Sequence, residues 1–91
     1  MIDKPIRFSQ HADTKFEVLR AHGLGLEQGT VLATVNHPDE ILNDYSGRKV
    51  AQALLDERRV LRVVYEERSD EILIITFYPG KRERYEKSKI Q

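Results

Sequence analysis

The sequence predicts an α+β domain: two helices and then a four-strand antiparallel meander, in the order β-α-α-β-β-β-β. Three observations carry this. Apolar residues recur at helical spacing up to Pro38, whereas after it short runs rich in β-branched residues take over. No internal repeat, linker or low-complexity stretch divides the 91 residues, so 1–91 reads as one domain. Helices grouped ahead of an antiparallel sheet are expected to pack together on one of its faces.

Taken in order, Ile6 to Phe8 is a short strand. Ser9 is a natural N-cap, because its hydroxyl accepts a first-turn backbone N–H. Ala12, Phe16 and Leu19 then mark a helical stripe that Gly23 stops. A second helix is predicted over Glu27 to Asn36, with Val31, Leu32 and Val35 as its apolar side. His37-Pro38 ends it, since the residue before proline avoids the α region. "EILNDY", "KVAQALL", "RVLRVVYEE" and "EILIITFY" follow as strands. "KVAQALLDER" is the segment most open to a helical reading, being made of good helix formers.

Ser46-Gly47 and Ser69-Asp70 are compact hairpin signals, whereas the link at Asp56 to Arg58 lacks glycine. If all three loops hold two residues, 45 pairs with 48, 56 with 59 and 68 with 71. Strict alternation then puts Leu42, Ala51, Ala53, Leu55, Val60, Val64, Leu73, Ile75 and Phe77 on one face, with Arg62 as its charged member. The opposite face collects Asn43, Tyr45, Arg48, Gln52, Tyr65, Thr76 and Tyr78 among aliphatic residues. A loop one residue longer at 56–58 reverses part of this assignment. Arg62, set between Leu61 and Val63, requires a partner, and Asp13, Glu17 or another carboxylate is the expected one.

Fifteen basic and fifteen acidic side chains give a formal net charge of zero, which argues against strong bulk attraction to nucleic acid. The charges are unevenly spread: residues 1–45 carry four basic and seven acidic groups, residues 46–91 eleven and eight. The tail "KRERYEKSK" is the most basic stretch, either a solvated end or an anion grip. There is no cysteine, so disulfides and thiol chemistry are excluded. No apolar run approaches a membrane span, and the start "MIDKP" lacks the apolar region of a signal peptide. A cytoplasmic protein without membrane association is expected. His11, His22 and His37 are too scattered for paired metal ligation, and no glycine-rich phosphate loop is present, so no metal or cofactor is expected.

Several short motifs occur in a telling order. A strand leads into Ser-x-His-Ala at 9–12, the helix ends in Arg-Ala-His-Gly at 20–23, and x-Pro precedes the first meander strand. Gly-Arg follows at 47–48, then "LRVVYEER", "DEILIITFY" and an Arg-x-Arg-Tyr ending at 82–85. Over nearly its whole length the chain resembles a family of small bacterial domains long labelled only as of unknown function. It looks like the BrnT branch of the RelE-like toxins. That resemblance implies a RelE-like fold and a metal-independent endoribonuclease, the toxin of a type II toxin–antitoxin module. It also implies an antitoxin protein, and RNA or the ribosome, as partners.

The resemblance further implies the site. His11 is matched by the Ser-x-His-Ala start and has a suitable side chain for acid–base work near neutral pH. Lys15, one turn on, stands where the family more often has arginine, and a lysine lacks the bidentate fork. Arg48 matches the hairpin arginine. Tyr78 is placed to hydrogen-bond phosphate or stack on a base. Arg62, Arg82, Arg84 and Tyr85 are the implied RNA grips. Each residue also has a plainer reading: His11 packing beside Phe8, His22 capping its helix, Arg48 solvated at a turn, Tyr78 closing the core edge. A non-catalytic binding module of the same fold, or a sheet face that forms a homodimer, stays open as an alternative.

Overall fold

The computed structural model describes residues 3–44 and 46–82. The elements are β1 (Ile6–Phe8), α1 (Gln10–Ala21), α2 (Gln28–Asn36), β2 (Glu40–Asn43), β3 (Lys49–Leu54), β4 (Arg59–Glu67) and β5 (Ile72–Lys81). They form an α+β domain with both helices on one face of a five-stranded sheet, in the order β1-β5-β4-β3-β2. "KVAQALL" is a strand over 49–54, because its alanines lie flat beneath the helices.

The helix signals work as chemistry requires. Ser9 caps α1 by accepting the Ala12 N–H at 3.1 Å. Gly23 closes it at φ +89°, with the paired Leu24→Leu19 and Gly23→Arg20 bonds of a Schellman motif. The expected start of α2 at Glu27 is its cap residue, which makes no side-chain cap bond.

The sheet differs from an all-antiparallel meander. β2 to β5 do run as one, but β1 adds a fifth strand parallel to β5, pairing Ile6 with Ile72 and Phe8 with Ile74. The two helices form the crossover that lets β1 lie parallel on the far side of β5. Beyond Ile74, β5 is therefore a sheet edge, the setting that tolerates Pro79.

Register departs from the two-residue expectation at two of three hairpins. Leu42 pairs with Val50 and Leu54 with Val60, so these loops hold three residues, 45–47 and 56–58. A three-residue hairpin loop commonly ends in a residue of positive φ, as 45–47 does at Gly47. Among the described residues only Gly23 and Gly47 have it. At 56–58 none does, and Asp56 instead accepts the Arg58 and Arg59 N–H groups at 2.9 and 2.8 Å. The third hairpin keeps its two-residue loop, closed by Arg68 N–H to the Glu71 carbonyl at 2.9 Å.

The three-residue loop at 56–58 turns β4 over relative to β3, whose Ala51 and Ala53 keep their expected face. Leu61, Val63 and Tyr65 face the helices, whereas Val60, Arg62 and Val64 face away. On β5, Ile72 and Ile74 face the helices in place of Leu73 and Ile75. A bulge at Ile75 then shifts the pairing by one, which returns Phe77 to the core opposite Val63. On β2, Ile41 replaces Leu42 as the partner of Ala51.

The core gathers Ala12, Phe16, Val31 and Val35 of the helices against Ala51, Leu61, Val63, Ile72, Ile74 and Phe77. Phe16 is its hinge: its ring lies 4.7 Å from that of Phe77 and 5.7 Å from that of Phe8, tilted on both. Tilted pairs of this kind add about 0.5–1.5 kcal/mol each beyond burial. They seat α1 against the β1–β5 edge.

Candidate functional site

The site begins with Ser9. Its N–H donates to the Ile74 carbonyl at 2.9 Å, and its hydroxyl donates to the Ile75 carbonyl at 3.0 Å while capping α1. Ile75 is the residue that the bulge leaves without a partner on β4. One serine thus ties the helix start to the irregular point of β5. Ala12 is fully buried below it, so the first turn lies close on the sheet.

This docking aims His11 and Lys15 at the residue after the bulge. His11 Nε2 lies 3.2 Å from Thr76 Oγ1, and Lys15 Nζ donates to the same oxygen at 3.0 Å. Lys15 also stands 5.7 Å from the centroid of the Tyr78 ring, within cation–π range. With its ammonium donating to Thr76, the threonine proton is available to Nε2 of a neutral imidazole. Partial burial pushes the Lys15 pKa down from its usual 10.5. His11 is exposed rather than enclosed by Phe8 and Phe16, and Tyr78 is 38% exposed.

His11, Lys15 and Tyr78 are brought together, whereas Arg48 is not. Its Nε binds Glu66 at 3.3 Å, near the β4–β5 turn. It lies two strands from β5, about 10 Å across the sheet. His11 and Arg48 therefore do not share one anion site. Arg82 lies at the end of β5, donating its N–H to the Arg58 carbonyl at 3.0 Å and a guanidinium N–H to the Glu57 carbonyl at 3.3 Å. Arg84 and Tyr85, with most of the basic tail, lie outside the described residues, as does Tyr45.

Arg62 is corrected in face and in partner. It points away from the helices, so neither Asp13 nor Glu17 pairs with it. Its Nε donates to Gln52 Oε1 at 2.9 Å, and Gln52 Nε2 donates to Glu40 Oε2 at 3.0 Å. Cross-strand pairing sets Arg62 directly opposite Tyr78. His22 caps its helix, with Nδ1 2.8 Å from the Val18 carbonyl. Among the described residues, no three His, Asp or Glu side chains stand close enough to hold a metal ion.

Thr76, the meeting point of His11 and Lys15, was legible only as a polar member of one sheet face. Its signal is the break it makes in the apolar run "ILIITF". Gln52 was legible in the same way, as a polar member of that face, whereas Gly80 carried no site signal. The chain matches no family model, no curated protein and no solved structure.

Proposed function

We propose that the chain is a RelE-like toxin domain that binds RNA and cleaves it without a metal ion. The observation that carries this is the convergence of His11 and Lys15 on Thr76 beside the exposed Tyr78 ring. The order of motifs from Ser-x-His-Ala to the Arg-x-Arg-Tyr ending supports the family.

The chemistry is that of a 2′-hydroxyl attacking its own 3′-phosphate. His11 Nε2 takes the 2′-hydroxyl proton, the 2′-oxygen bonds to phosphorus, and the bond to the 5′-oxygen breaks. The products are a 2′,3′-cyclic phosphate and a 5′-hydroxyl. The Lys15 ammonium offsets charge on the crowded phosphate and supplies the proton that the leaving oxygen takes. Its lowered pKa makes it a better acid than an exposed lysine. Tyr78 stacks on a neighbouring base. By the same reading, a small antitoxin neutralises the chain, and the RNA is met free or on the ribosome.

Incubation of the purified chain with RNA tests this. His11→Ala should lower the cleavage rate about 10²–10⁴-fold, with little change in melting temperature because His11 is exposed. Inducing the wild-type chain alone should arrest bacterial growth. Normal growth with folded chain in the lysate, and no cleavage in vitro, would favour a non-catalytic binding module of the same fold. The zero formal net charge is the observation behind that second reading.

A further inference from the structure

Next to Tyr78, at the end of the β4–β5 ladder, the sheet carries a groove of about 380 Å³ lined by Arg59, Arg62, Tyr78, Pro79, Gly80 and Lys81. Three of these are cations, but they are not equivalent. Arg59 is spent on Asp56, which it grips through Nε at 2.9 Å and NH2 at 2.7 Å. Lys81 is exposed and has no partner among the described residues. Arg62 uses only its Nε, on Gln52, so its outer N–H groups are uncommitted.

Arg62 is also held in place. Gln52 is 1% exposed, and its amide has one workable orientation. Its oxygen must face the Arg62 N–H, so its NH2 faces the Glu40 carboxylate, and both bonds are made. The guanidinium then lies over Gly80. A Cβ at Gly80 would stand 2.8 Å from Arg62 NH1 and 3.3 Å from Cζ. Gly80 has no positive φ to account for its glycine, so the room it leaves for Arg62 is its structural use here.

We infer that Arg62, bedded on Gly80 and oriented by Gln52, forms with Lys81 and Tyr78 a second phosphate subsite beside His11 and Lys15. The groove then takes a single-stranded oligonucleotide rather than a mononucleotide. One phosphate sits at Lys15 and His11, the adjoining base lies on Tyr78, and the next phosphate sits at Arg62 and Lys81. Cations on both sides of one exposed aromatic ring suit a stacked base with a phosphate at each end. This rests on the RNA reading above, but it concerns binding and not cleavage.

The test uses the full chain and a 2′-O-methyl trinucleotide, which lacks the attacking hydroxyl, with a nucleoside monophosphate as comparison. Affinity is measured over a range of KCl concentrations. The wild type should bind the trinucleotide at least tenfold tighter than the monophosphate. Each single-strand phosphate contact contributes about 0.7 to the slope of log affinity against log salt. Arg62→Gln should reduce the slope by about that amount, and Gly80→Ala should shift it the same way by displacing the guanidinium. Arg68→Gln, a change to an arginine paired elsewhere, should leave it alone. Should Arg62→Gln fail to fold, Gly80→Ala carries the test. Slopes unchanged in the folded variants, or a trinucleotide bound no tighter than the monophosphate, would overturn the second subsite and leave the RNA reading intact. A wild type that binds neither probe would sink both. Tight binding with the expected slopes but no RNA cleavage would remove only the catalytic reading.

Discussion

Ser9 does three jobs that are usually divided among several residues: it caps α1, closes the β1–β5 junction and holds the bulge carbonyl. Ser9→Ala should therefore cost more than its cap alone, about 0.5–2 kcal/mol. It should also weaken RNA cleavage with His11 still present. Chemical denaturation and the cleavage assay read the two effects separately. Lys15 shows the opposite balance. Burial lowers its pKa from 10.5, so the unfolded chain holds that proton more tightly than the folded one. Stability then rises with pH as the lysine deprotonates, and at neutral pH its charge is disfavoured by the fold relative to a neutral lysine. Lys15→Met should keep or raise the melting temperature at pH 7 while weakening RNA binding. A clear loss of stability would mark Lys15 as a structural residue.

Among the elements, β5 makes the site through one extra residue. Ile75 is unmatched on β4, since Tyr65 pairs with Ile74 and Val64 with Thr76. Deleting Ile75 would let those pairs follow one another without a bulge, so Phe77 stays opposite Val63 and the faces are kept. The deletion variant should retain a native circular dichroism spectrum and lose cleavage, because the carbonyl that anchors Ser9 is gone. An unfolded product would show that the bulge serves the sheet and not the site. The β2–β3 loop depends in the same local way on Gly47 at φ +87°. Gly47→Ala should destabilise by about 1 kcal/mol, from the penalty of a side chain in the left-handed region, seen as a lower denaturation midpoint.

Across the molecule, one end of the sheet is laced by two chains of charge. Lys4 and Lys49 share Glu67, while Arg7, Glu71, Arg68, Glu66 and Arg48 link in sequence. Each carboxylate is held below its usual pKa of 4.5, chiefly by a hydrogen bond from its cation: Arg68 for Glu66, Lys49 for Glu67 and Arg7 for Glu71. A carboxylate with a depressed folded pKa favours folding at pH above its unfolded value and loses that contribution as pH falls through the folded one. The melting temperature should thus hold steady down to about pH 5 and fall below it. Glu67→Gln should flatten part of that fall, and 1 M salt should shrink it, since exposed pairs are screened. A melting temperature independent of pH between 5 and 3 would mean that the network adds nothing to stability.

The class of the fold, the two helices and the place of each strand follow from signals a few residues long: Ser9 and Gly23 around α1, His37-Pro38 after α2, and β-branched runs beyond, although β5 runs on through Pro79 and Gly80 to Lys81. The Ser-x-His-Ala start was legible for the same reason, since a cap and its first turn are local. What lies on each face of β4 was not, and neither were the parallel pairing of β1, the bulge at Ile75 or the partner of Arg62. The face of β4, and with it the partner of Arg62, depends on whether the loop at 56–58 holds two residues or three, since one residue turns over every side chain that follows. No local preference records that parity. It is settled when Leu61, Val63, Ile72 and Ile74 together find the helices, a choice made by burying the whole apolar surface at once. The same choice sends Arg62 to Gln52 and sets Thr76 beneath His11 and Lys15.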